Sequence, residues 1–79
     1  MLVIAFSIAV EESRAEEMRN VLMDDYGIAI TNEVIYNEKL CWSESVSRVY
    51  FDCFAPSSRI ELLKDYLDNI YTGTAIMSY

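Results

Sequence analysis

Apolar residues recur along this chain with two different periods. In Leu2–Val10, the large residues Leu2, Ile4, Phe6, Ile8 and Val10 alternate with the smaller Val3, Ala5, Ser7 and Ala9, the two-residue period of a strand that turns one face to a core. The stretches IAITNEVIYN (28–37), SVSRVYFDCFA (45–55) and TAIMSY (74–79) are also strand-like, rich in β-branched and aromatic residues. Between them lie two stretches that nearly repeat each other, SRAEEMRNVLMDDYG from Ser13 to Gly27 and SRIELLKDYLDNIYTG from Ser58 to Gly73. Both carry apolar residues at helical spacing: Ala15, Met18, Leu22 and Tyr26 in the first, and Ile60, Leu63, Leu67 and Ile70 in the second. Each opens with Ser-Arg-x-Glu, the pattern of a capping box, and each ends near a glycine suited to a left-handed helix terminus, Gly27 or Gly73. Pro56 stands just ahead of the second helix.

The element order is therefore β-α-β-β-α-β, which predicts an α+β fold of the ferredoxin-like kind: one four-stranded antiparallel sheet with two helices on one face. The same elements in another strand order are the alternative. A chain of 79 residues forms one domain, residues 1–79, close to the size at which a single core barely offsets the entropy of ordering the backbone. In this fold strands 1 and 3 are central. The helix-facing layer then takes Leu2, Ile4, Phe6 and Ile8 with Val49, Phe51 and Cys53, leaving Ser7, Arg48, Tyr50, Asp52 and Phe54 on the open face. A register slip of one residue would exchange the two sets.

Composition narrows the chemistry. Hydrophobic residues make up 53% of the chain, with two glycines and one proline, which favours a compact, regular fold over disorder. The apolar first ten residues lack a preceding basic segment and run directly into Glu11 and Glu12, so they predict a strand rather than a signal peptide or a membrane span. A cytoplasmic location is expected. Cys41 and Cys53 are expected as reduced thiols. Thirteen acids face six bases, for a net charge of −7 with no histidine, a balance that repels phosphate backbones and anionic lipid.

No catalytic constellation emerges. Without histidine, the usual base for a serine or cysteine nucleophile is missing. The pairs Glu11-Glu12, Glu16-Glu17 and Asp24-Asp25 are adjacent in sequence, so their side chains point about 100° apart on a helix and do not converge. Two cysteines do not make a zinc site, and no calcium, phosphate or dinucleotide motif is present. The expectation is of no cofactor, no metal and no turnover.

Three resemblances bear on function. RVYFDCF, Arg48 to Phe54, resembles the third-strand signature of RNA-recognition motifs, with Tyr50 on the stacking face but Asp52 at the next stacking position and Ser7 on strand 1. LVIAFSIAV, followed by a helix, Tyr26-Gly27 and a second strand, is similar to the CRISPR adaptation proteins and related antitoxin ribonucleases over about the first 36 residues. Those families imply a metal-serving aspartate near the end of strand 1, where this chain reads Phe6-Ser7-Ile8. In size, acidity and composition the whole chain resembles phage-encoded inhibitors of the anti-CRISPR type, which implies a partner protein rather than a substrate.

Charge distribution supports a binding role. Residues 11–25 hold six acids against two arginines; Glu12, Glu16, Glu17 and Asp24 lie off the apolar stripe, and together with Asp25 they supply the charge. With Glu61, Asp65 and Asp68 on the second helix and the loop acids Glu38 and Glu44, they predict an acidic flank that occupies a basic nucleic-acid groove on a larger complex, such as a CRISPR effector subunit. Trp42, in the segment NEKLCWSES, is a candidate interface anchor. Tyr50 on the open sheet face carries the alternative expectation, a regulatory or assembly module that forms a homodimer or holds a ligand through that face. A metal-dependent ribonuclease is the third.

Overall fold

The computed structural model describes residues 2–39 and 45–79, apart from the side chain of Glu38. Strand β1 (Val3–Glu11) leads through a 3-10 turn (Glu12–Arg14) into helix α1 (Ala15–Asn20), which widens into a π turn (Val21–Asp25). Strands β2 (Ala29–Lys39) and β3 (Ser45–Pro56), helix α2 (Ser57–Asn69) and strand β4 (Ala75–Ser78) complete the chain. The sheet order is β2-β3-β1-β4, antiparallel throughout. This is the ferredoxin-like α+β fold that the periodicities predict.

The alternation in β1 and β3 places Phe6, Ile8, Val10, Val49, Phe51, Cys53 and Ala55 in the core, where they meet Ala15, Met18, Val21 and Leu22 from the first helical segment and Ile60 and Leu63 from α2. Phe51, Ile8, Met18, Leu22 and Leu63 are fully buried and form its centre. Two expected core positions are not there. Leu2 precedes the first paired residue, Val3, and stays exposed, and Ile70 follows the last residue of α2 and is exposed as well. Both continue a helical or strand spacing past the point where the element stops.

The helix ends differ from their sequence signatures. Neither repeated serine caps its helix: Ser13 lies inside the 3-10 turn, and α2 begins at Ser57 after Pro56, whose φ of −65° and ψ of 152° set the chain extended before the helix. Gly27 does close the first helix in the left-handed region, at φ 60°. There the Ile28 amide donates to the Leu22 carbonyl at 2.8 Å and the Tyr26 amide to the Val21 carbonyl at 3.2 Å, pairing carbonyls that the helix would otherwise leave open. Gly73 is not left-handed. Helix α2 ends four residues earlier, where the Asn69 side chain donates to the Asp65 carbonyl at 3.0 Å and the Ile70 and Tyr71 amides share the Tyr66 carbonyl.

Gly73 has a different reason to be glycine. A Cβ there would sit 2.8 Å from Arg14 Nη1, 2.8 Å from the Tyr71 hydroxyl oxygen and 2.9 Å from Tyr71 Cζ. The loop before β4 is clasped by the start of the first helix. The Arg14 guanidinium lies 4.5 Å from the centre of the Tyr71 ring, pairs with Glu17 at 2.6 Å and donates to Thr72 Oγ1 at 3.3 Å. The Thr74 amide donates to Glu11 Oε1 at 3.1 Å. A second arginine holds the other end, with Arg59 Nη1 donating to the carbonyls of Gly27 at 2.8 Å and Tyr26 at 3.3 Å.

Candidate functional site

Three surfaces carry the candidate chemistry. The first is a cleft of about 520 Å³ at the strand ends, lined by Glu11, Glu12 and Ser13 after β1, Ser45, Val46, Ser47 and Arg48 at the start of β3, and Thr74 before β4. Antiparallel pairing brings them together, since Glu11 stands opposite Arg48 in the β1–β3 register. Its lining combines the hydroxyl-bearing residues Ser13, Ser45, Ser47 and Thr74 with the half-buried Arg48 and the acids Glu11 and Glu12. Ser47 donates its hydroxyl hydrogen to Asn37 Oδ1 at 2.6 Å, which leaves its lone pairs available as acceptors. The Arg14 clasp fixes the wall that contains Thr74. Sequence reading placed Arg48 on the open face but did not find this cleft, because its residues come from three separate segments and share no local motif.

The second surface is the acidic flank. Glu12, Glu16, Glu17, Asp24 and Asp25 are all exposed. Glu17 is committed to Arg14. Burial raises the pKa of Tyr66 on α2, and the charges of Glu17, Tyr26 and Asp25 add to it against the opposing effect of Arg14. Glu12, Glu16, Asp24 and Asp25 have no ion-pair partner among the described residues. Acids elsewhere are partly neutralised: Glu33 pairs with Arg19 at 2.8 Å, and Glu61 lies 3.9 Å from Lys64. Trp42, together with Leu40, Cys41 and Glu44, lies outside the described residues.

The third surface is the open sheet face. Tyr50 is there, as the alternation predicts, with its ring edge-to-face against Tyr36 at 5.8 Å between centroids. Phe54 and Asp52 share that face and are exposed, while Cys53 points the other way and is 1% exposed. Burial, helped by the negative charge of Asp52, pushes the Cys53 thiol up to about 11, so it is a core residue rather than a nucleophile. Among the described residues no three His, Cys, Asp or Glu side chains are grouped to hold a metal ion. None of the described helices is long and apolar enough to cross a membrane.

No family profile and no curated protein matches the sequence. The fold does have solved counterparts. The structure of CPII from Thiomonas intermedia K12 bound to ADP, AMP and acetate superposes with a TM-score of 0.55 at 13% identity, covering 99% of this chain and 88% of that one. A second structure of CPII, described as a nitrogen regulatory PII-like protein and bound to ADP, AMP and bicarbonate, gives a TM-score of 0.53 at 15% identity over 99% and 94% of the two chains. At such identities the likeness is one of fold.

Proposed function

We propose that this chain is a small regulatory module which binds a polar ligand in the strand-end cleft and presents the occupied state to a protein partner. The observation that carries this reading is the cleft itself, an opening of about 520 Å³ with four hydroxyls, one guanidinium and two carboxylates, on a scaffold shared with a ligand-binding PII-like protein. Carboxylates at Glu11 and Glu12 suit the hydroxyl hydrogens of a ribose, and Arg48 with the serine hydroxyls suits a phosphate or carboxylate oxygen. AMP and ADP, which CPII holds, are therefore the first ligands to test, with bicarbonate and acetate beside them.

Calorimetric titration with each of the four should give saturable binding for at least one nucleotide. Arg48→Gln should weaken it at least about tenfold, the size of one charge-assisted hydrogen bond, and Ser13→Ala should weaken it less. Heatless titrations with all four ligands, or affinities indifferent to Arg48→Gln, would remove the reading.

The four uncommitted carboxylates favour a second reading, an inhibitor that occupies a basic nucleic-acid groove by charge. Glu12→Lys with Glu16→Lys is the appropriate reversal, because altering Glu17 would also release Arg14. Binding to a basic partner that is unchanged by this pair across a salt series would exclude the acidic flank.

A further inference from the structure

The open face of the sheet is banded. Across the four strands the register aligns Val34, Tyr50, Ala9 and Ile76 in one apolar row, and Ala29, Phe54 and Ala5 in another. Between them runs a polar row, Asn32, Asp52, Ser7 and Ser78, with one residue from each strand. An apolar face needs no such row for packing. It borders a cleft of about 260 Å³ lined by Ser7, Thr31, Asp52, Phe54, Ser78 and Tyr79 among others.

Among the described residues lining this cleft Asp52 is the one aspartate or glutamate, and no lysine or arginine is among them. Asn32 Nδ2 donates to Asp52 Oδ2 at 3.5 Å, a long bond, and Oδ1 accepts none among the described residues. The bulge at Thr31 turns that hydroxyl to the Asp52 carbonyl at 3.1 Å, which ties β2 to β3 without engaging the carboxylate. Neighbouring strands lie about 4.8 Å apart, so a group seated above Ser7 can reach acceptors on either side, at Asp52 and Ser78. An ammonium has three N–H donors and no acceptor, matching a carboxylate oxygen and two hydroxyl oxygens in a row. The exposed Phe54 ring beside it offers apolar surface to the body that carries the charge.

We propose that this row is a binding site for a primary ammonium with a short apolar body, separate from the strand-end cleft and independent of what that cleft holds. A quaternary ammonium lacks the hydrogens to engage the hydroxyls, and a neutral alcohol lacks the charge for Asp52. Because Asp52 is exposed, the attraction is screened by salt.

The test uses the full chain, 15N-labelled, in a buffer free of amines, titrated with phenethylamine. Saturable shifts of the Ser7, Asp52, Phe54 and Ser78 amides are expected. Asp52→Asn should weaken binding about two- to fivefold, the range of an exposed ion pair, with Ser7→Ala giving a smaller loss. Phenylethanol and the trimethylated amine should bind more weakly than phenethylamine. Raising salt from about 0.1 M to about 1 M, which cuts the screening length from about 10 Å to about 3 Å, should loosen it further. Absent shifts, an affinity unchanged by Asp52→Asn, or an equal response to phenylethanol would overturn the site. So would a stable dimer in sedimentation that covers these residues and is not displaced by the amine. Nucleotide titration of Asp52→Asn keeps the two proposals apart, since binding in the strand-end cleft should be unaffected.

Discussion

Replacing Gly73 by alanine sets two effects of opposite sign against each other. Gly73 is not in the left-handed region, so alanine meets no backbone penalty there, and reducing the freedom of the unfolded chain alone would stabilise by about 0.4–1 kcal/mol. Against this, the new methyl would meet three heavy atoms within 2.8 to 2.9 Å, well inside van der Waals contact. The arginine end can move only by giving up Glu17, Thr72 or the Tyr71 ring. The tyrosine atoms are harder to displace, because the Tyr71 ring packs against the core, the Tyr66 ring and the Arg14 guanidinium. Overpacking of this kind costs about 1–3 kcal/mol, so the net effect should be a loss of roughly 1–2 kcal/mol. For a domain of about this length each kcal/mol moves Tm by about 4–8 °C, which predicts a fall of roughly 5–15 °C in a thermal melt followed by circular dichroism. Arg14→Ala removes one of the clashing groups, so Gly73→Ala should cost less in that background. A melting temperature unchanged or raised by Gly73→Ala would refute the steric account and show that the loop is free to move off Arg14 and Tyr71.

Other outcomes follow from the same contacts. Phe51→Ala empties the centre of the core and should cost about 3–5 kcal/mol, a large share of the total for so small a domain; a native circular-dichroism spectrum with an unshifted urea midpoint would contradict it. Gly27→Ala places a side chain at φ 60° with its Cβ 2.8 Å from Arg59 Nη1 and should destabilise by about 1–2 kcal/mol, with Gly27→Asn costing less; equal melting temperatures for all three would argue against a left-handed closure. The Cys53 thiol titrates higher in the folded than in the unfolded chain, as do Tyr66 and Tyr71 through burial. The stability these three groups contribute should therefore be fully present below about pH 8.5, the ordinary thiol value, and fall toward pH 11 as the unfolded state releases protons first. Cys53→Ala should flatten the lower part of that fall in melts taken from pH 8 to 11.

The order of elements, the ferredoxin-like sheet and most of its core were legible in the sequence, because a two-residue and a 3.6-residue apolar period are local properties. Phe6, Ile8, Phe51 and Met18 fall where those periods put them. Where an element ends is less local. Leu2 and Ile70 keep the period yet lie outside the core, and the two serines keep the capping pattern without capping. Gly27 and Gly73 look alike in sequence, but one supplies a left-handed turn and the other leaves room for Arg14 and Tyr71. Acidity and the open-face position of Tyr50 were readable as well. The cleft joining Glu11, Arg48 and Thr74, and the row joining Asn32, Asp52, Ser7 and Ser78, were decided by strand order and register alone. Hydrogen bonds between distant strands set which side chains become neighbours, and no stretch of chain read by itself contains that information.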